Sequence, residues 1–520
     1  MTIDSTFFVS LQQICYQLKT LIMRKLWLLL PLLAFFGFKA LAAETPVLKI
    51  EGGQIQGVTC DNPDVYVYKG IPYAAAPIGD LRWKEPQPVV AWEGIRQCNR
   101  FGHPGYQAVH YPGGYATEWG YGAESPYSED CLYLNVWTPA AGKTDAKLPV
   151  ALWIHGGGYR EGWGSEPEFD AQAWAEKGVI LVSINYRLGV FGFLTHPDLS
   201  AESPHKVSGN YGILDQIESL KWIKKNIAQF GGDPDNVMIF GQSAGAGSVK
   251  TICASPLSKG LFHKAVIMSG GGMTVAPPKG AAADANMRRI FPVLTFEESQ
   301  KQNKTVLDWA GYNNLEEMRK ASTEVIYTIG TIYNRVTKKN AFMTGMPIVD
   351  GYCNTKSFDE AAQDGSLADV PYMIGYTLDD LGDMADGIAA FCLNREEKGN
   401  KAWAYEFARP LPDDGSHPED YLQGAFHSSD LWYVFKSLQH CWRPWAQGDW
   451  DLSEKMLTAW TNFAKYNNPN GAQDGAWKPY TKDNAKFQLF KRNDQDKEAS
   501  EMGDPIKSTR PSMWGMGAPK

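Results

Sequence analysis

The stretch VMIFGQSAGAGSVK (residues 237–250) sets Ser243 between Gly241 and Gly245 at the end of an apolar run. On a sharp strand-to-helix turn a serine hydroxyl is exposed, and small residues two places to either side let strand and helix crowd together. Such a serine can attack a carbonyl carbon if a base takes its proton and N–H donors hold the oxyanion. GQSAG alone is too short to establish this, so the partners decide. WIHGGGYREG (153–162) follows an apolar run and carries three glycines after His155. Its uncovered backbone N–H groups suit an oxyanion hole, expected from Gly157 and Gly158 with Ala244 as the third donor.

A base and its orienting acid are also required. When the partners follow in the order serine, acid, histidine, the base is one of His263, His417, His427 and His440. His263 comes too soon after Ser243 to leave room for an acid-bearing strand. His427 sits in GAFHSSDLWYVF, just before an apolar aromatic segment, and is favoured, with His417 and His440 left open. The acid belongs at the end of a late strand. VPYMIGYTLDDLGDM (370–384) supplies one, with Asp379, Asp380 and Asp383 as candidates.

These residues need a rigid frame. The runs VALWI (150–154), GVILVSI (178–184), NVMIF (236–240), KAVIM (264–268) and PYMI (371–374) are continuous, apolar and rich in β-branched residues, as buried parallel strands are. Between the second and third, Ile213, Ile217, Leu220, Ile223 and Ile227 recur at helical spacing within 210–230. Strand, helix and strand with short links predict an α/β fold: a large, mostly parallel central sheet flanked by helices. Residues 275–345 and 380–426 read as helical and irregular additions over one end of that sheet. Residues 101–128, rich in Gly and Tyr, read as a long aromatic loop.

The chain has 520 residues and a formal net charge of −8. That balance, with no basic run carrying interleaved aromatics, argues against nucleic-acid binding. MRKLWLLLPLLAFFGF begins at Met23 and is followed by KALAAE. The basic start, apolar run and small-residue site predict a secretory signal peptide with an upstream extension over residues 1–43, and a single domain over 44–520. The run is shorter than the roughly 20 apolar residues of a membrane span. Export to the periplasm or medium is expected, and it permits disulfides. Seven cysteines follow the leader, of which Cys60 and Cys98 are the first expected pair and Cys253 a buried thiol.

The chain closely resembles the type-B carboxylesterase family, the cholinesterase and carboxylesterase group. The resemblance rests on YKGIPYAAAPIGDLRW, EDCLYLNVWTP, IHGGGY, SINYRLGVFGFL, GNYGILDQIESLKWI, FGGDPDNVMIFGQSAGAGSV, SPLSKGLFHKAVIMSG, MPIVDG and WTNFAKYNNPN. It implies an α/β-hydrolase fold, no cofactor or metal, and hydrolysis of small-molecule carboxylic esters through an acyl-enzyme. By this likeness Ser243 is the nucleophile, His427 the base, and Gly157, Gly158 and Ala244 the oxyanion hole. The acid, a glutamate in most relatives, corresponds to Asp380. Gln242 stands where many relatives carry glutamate. Gly105 stands where the usual partner of Cys131 would be. The competing expectation is a non-catalytic binding protein on the same fold. Tyr106, Tyr111, Tyr115, Trp119, Tyr121 and Tyr159 suggest an aromatic mouth suited to bulky or aromatic esters. The segments 275–345 and 380–445 are expected to line the entrance beside them.

Overall fold

The computed structural model describes residues 45–510, apart from 112, 122–125, 276–293, 340, 342–344, 417–421, 494 and 496. The leader, His417 and part of the 275–345 segment therefore lie outside the described residues. Eleven strands build the main sheet: β1 (Val58–Thr59), β2 (Tyr66–Pro72), β3 (Tyr133–Thr138), β4 (Leu148–Ile154), β5 (Ile180–Ile184), β6 (Gly232–Gln242), β7 (Lys264–Met268), β8 (Tyr372–Thr377), β9 (Ala402–Phe407), β10 (Phe487–Phe490) and β11 (Glu501–Gly503). Their order across the sheet is β11-β10-β9-β8-β7-β6-β4-β5-β3-β2-β1. Neighbours from β5 through β10 run parallel, and both ends of the sheet turn antiparallel. A smaller sheet of three strands (Val47–Ile50, Gly53–Gln56 and Ile95–Gln97) stands apart from it.

The continuous apolar strands are explained by two cores. Alternate residues of one strand feed opposite faces, as the two-residue period of a strand requires. Val150, Leu152 and Ile154 enter one core, with Val237 and Ile239. Ala151 and Trp153 enter the other, with Met238 and Phe240. The first face is covered by α1 (Tyr211–Asn226), whose Ile213, Ile217, Leu220 and Ile223 are buried. The second is covered by the helix Gln447–Tyr466 and the segment around Trp432. Trp153, Trp432 and Trp460 are fully buried there. At about 25 cal/mol per Å² over roughly 150–250 Å², each such ring contributes several kcal/mol. The helices Phe296–Trp309, Leu315–Lys320 and Thr323–Thr337 form a third, separate core with Val190, Phe191 and Leu194.

Two expectations are corrected. The stretch after residue 380 is not only an addition over the sheet: AWAYEF (402–407) is the interior strand β9, paired between β8 and β10. Its Glu406 concealed it, because a charge in mid-strand contradicts a buried run. In the fold that carboxyl is fully buried, and burial pushes its pKa to about 7, so it is largely uncharged below neutrality. The expected Cys60–Cys98 disulfide is absent, since all seven described cysteines are free thiols. Cys98 lies in the first core and Cys60 packs against the second, so the sheet stands between them. Cys253 is buried as expected, and burial pushes its thiol up to about 12. Cys131 is likewise a buried thiol. Gly105, where its partner was sought, instead forms a backbone bridge with Ser128. No helix among the described residues is long and apolar enough to cross a membrane.

Candidate active site

β6 delivers Ser243 at its carboxyl end, and α2 (Ala244–Ala254) begins at the next residue. Ser243 has φ 57° and ψ −120°, a conformation that L-residues rarely adopt. It persists because the turn is fixed on both sides. Ser243 N–H donates to the Met268 carbonyl at 2.9 Å, and its own carbonyl accepts from Gly247 N–H at 2.9 Å. The helix passes so close to β4 that a Cβ on Gly245 would collide with the carbonyl oxygen of Ile154. The motif's second glycine is thus demanded by contact with the neighbouring strand.

Two of the expected oxyanion donors, Gly157 and Gly158, line the same cavity as Ser243, and Ala244 is the next residue after it. Ala244 opens α2, so its N–H is one of the orphan donors of a helix start. Gly157 and Gly158 sit at φ 92° and 60° after β4, and their N–H groups meet no acceptor among the described residues. A Cβ on Gly157 would also strike the Glu161 carbonyl. His155 anchors this loop. It stacks on Tyr186 at 4.4 Å, and burial lowers its pKa to about 4, so it is neutral.

Among the described histidine candidates, His427 alone shares a cavity with Ser243. Both line one cavity of about 370 Å³, together with Gln242, Gly156, Gly157 and Gly158. His427 Nδ1–H donates to Asp380 Oδ1 at 2.6 Å. His440 instead pairs with Asp170 at 3.1 Å, and His263 accepts from Val237 N–H at 3.1 Å. The acids separate as cleanly. Asp379 accepts from Ala425 N–H and faces Ser508 and Arg510, while Asp383 caps a helix through Ala385 N–H. Asp380 follows β8 and is buried. Burial alone would raise its carboxyl, but His427 and the N–H of Leu381 hold it below the usual carboxylate value.

Two features hold His427 from behind. Tyr115 OH donates to its backbone carbonyl at 2.8 Å. The short helix carrying Tyr115, Gly114–Trp119, is clamped by Glu118, which takes Arg443 as a two-pronged ion pair and Trp432 Nε1–H at 3.0 Å. The next turn adds a second buried acid, Asp430. Burial pushes its carboxyl to about 7, with the charge of Asp380 acting the same way.

Gln242 makes the contact of most chemical interest. With Nδ1–H committed to Asp380, His427 Nε2 is an acceptor, and the Gln242 amide N–H donates to it at 3.2 Å. This neutral group occupies the lone pair that a serine proton would need. Gln242→Glu places a carboxylate there, which stabilises the imidazolium. Protonation of the base then persists to higher pH. The acid limb of kcat/KM against pH is expected to move up by about one unit, measured on a neutral ester.

Of the six aromatics expected at a mouth, Tyr115, Trp119 and Tyr121 line the cavity. Tyr106 packs on Phe191 and Tyr327, Tyr159 packs on Phe193, and Tyr111 is exposed. Leu381, Ser428 and Leu431 reach the cavity from the 380–445 segment, whereas no described residue of 275–345 does. The sequence reading missed Glu166, Glu168, Phe169 and His110, which also line it. The signal was present in GWGSEPEFD, where two glutamates flank a proline directly after the glycine loop. Among the described residues no group of His, Cys, Asp and Glu is arranged to hold a metal ion.

Comparison with known proteins follows the same lines. Residues 44–390 and 384–514 match the profile of the carboxylesterase family. Fumonisin B1 esterase of Sphingopyxis macrogoltabida is 35% identical over 71% of this chain, and the match spans 63% of that protein's own length. Human carboxylesterase 5A is 30% identical, with 92% of this chain and 90% of that protein covered. Among solved structures, a carboxylesterase of Geobacillus stearothermophilus superposes with a TM-score of 0.69 at 28% identity, covering 88% of this chain and 97% of the other.

Proposed function

Because the chain belongs to the carboxylesterase family, we propose that it hydrolyses carboxylic esters through an acyl-enzyme on Ser243. The observation that carries this reading is Asp380 bonded to His427, and His427 sharing one cavity with Ser243 on its strained turn. Ser243 Oγ attacks the ester carbonyl while His427 Nε2 takes its proton in place of the Gln242 bond. Asp380 fixes the tautomer and stabilises the imidazolium. The N–H groups of Gly157, Gly158 and Ala244 hold the oxyanion. His427 then returns the proton to the leaving alcohol. Water, deprotonated by the same nitrogen, releases the acid.

Tyr115, Trp119, Tyr121 and Phe169 give the cavity an apolar wall, which supports bulky or aromatic esters as substrates. The leader read over residues 1–43 supports export as the route to them. A fluorophosphonate tests the serine assignment directly. Mass spectrometry is expected to find the adduct on the peptide containing Ser243. An unlabelled, folded protein at neutral pH would favour a binding role instead.

A further inference from the structure

The cavity holds two carboxyl groups that the mechanism above does not use. Glu166 and Glu168 are 6% and 1% exposed and both line it. They are unequally served. Glu166 accepts from Trp163 N–H at 2.7 Å and from Tyr121 OH, so both of its oxygens have donors. Glu168 Oε2 is buried, and no donor reaches it among the described residues. A buried acceptor left without a donor is costly, and two adjacent buried carboxylates cannot both be ionised cheaply. Burial pushes the Glu168 carboxyl well above the usual range, with the charge of Glu166 acting the same way, so Glu168 keeps its proton and donates it to the neighbouring Glu166 carboxylate, while its Oε2 stays without a donor.

The nearby cations have other partners, and His110 acts on Glu166. Arg443 is committed to Glu118, and His110 lies between Tyr127 and Glu161. The exposed Arg160 and Glu161 at the same cavity oppose each other in sign. What fits Glu168 is a group that brings both positive charge and N–H donors. We propose that the cavity contains a subsite for a protonated primary or secondary amine of the substrate, with Glu168 as its hydrogen-bond acceptor and Glu166 as the adjoining charge. The Glu168 proton leaves to solvent as the ammonium enters, so the pair goes from one negative charge to two, matched by the incoming one. Tyr121 and Trp119 add ring faces to the cation. The inference rests on the ester-hydrolase reading, since it names a substrate class for that same cavity.

The test uses 4-nitrophenyl acetate turnover by the full chain, inhibited in turn by benzylammonium, benzyl alcohol and benzyltrimethylammonium. Benzylammonium is expected to have an inhibition constant at least about tenfold below both others, the scale of a hydrogen bond to a charged group. In Glu168→Gln its advantage over benzyl alcohol is expected to fall below about threefold. A general packing defect would weaken all three inhibitors together and leave their ratios unchanged. Equal inhibition by benzylammonium and benzyl alcohol in the parent overturns the subsite. Equal or better inhibition by benzyltrimethylammonium reduces it to a ring-lined cleft and overturns the role of Glu168, as does an advantage that survives Glu168→Gln. The parent comparison decides even if the variant does not fold. Failure of the ester reading shows separately, as no turnover before any inhibitor is added.

Discussion

Ser243→Ala is expected to lower kcat on a neutral aryl ester by about 10⁵- to 10⁶-fold, leaving only the rate that binding and the N–H donors can supply. The loss is large because the hydroxyl's attack has no substitute in the cavity. Gln242 has no hydroxyl, and the Ser428 side chain is hydrogen-bonded to Tyr115. KM is expected to change little, because the serine contributes to the transition state far more than to ground-state binding. Alanine also relieves none of the contacts that fix the turn, since Gly245 still presses on Ile154. Circular dichroism should therefore report an unaltered fold. Parental activity in this variant would remove Ser243 from the mechanism.

The second large effect is expected at Asp380. Asp380→Asn keeps the size of the side chain but can donate an N–H toward His427, favouring the tautomer whose proton sits on Nε2. That nitrogen is then a donor when the reaction needs an acceptor. In a serine protease with the same three groups, the equivalent change costs about 10⁴-fold, or about 5 kcal/mol of barrier. A similar loss in kcat/KM is expected here. The neighbouring Asp379→Asn is the control. Asp379 holds Ala425 N–H and the Ser508 hydroxyl, not the imidazole, so its expected kinetic effect is within about tenfold. Equal, minor losses in the two variants would exclude Asp380 as the orienting acid.

These assignments show what the sequence could and could not convey. The strands β4 to β8 were legible because burial on both faces writes itself as uninterrupted apolar runs. Ser243 and the glycine loop were legible because each directly abuts such a strand. β9 was not, because Glu406 breaks its run, and only the fold reveals that its carboxyl is buried, with its pKa pushed to about 7. His427 and Asp380 lie 47 positions apart, and nothing local distinguishes Asp380 from Asp379. One residue of offset turns the side chain from the imidazole to the carboxyl-terminal segment. The disulfide failed for a related reason. Sequence proximity says nothing about which face of a sheet a side chain enters, and Cys60 and Cys98 enter different ones. Glu166 and Glu168 were not legible, because nothing in two acids flanking a proline tells that both side chains are buried.

The seven free thiols bear on where the protein can mature. Burial holds Cys131 and Cys353 protonated well beyond neutral pH, and a protonated, enclosed sulfur is a poor partner for thiol exchange. No cross-link secures the aromatic loop, which is held by the Gly105–Ser128 bridge, the stacking around Trp163, and the Glu118–Arg443 pair. The described fold consequently asks for no oxidant. Glutathione or dithiothreitol should find no disulfide among its described residues to reduce.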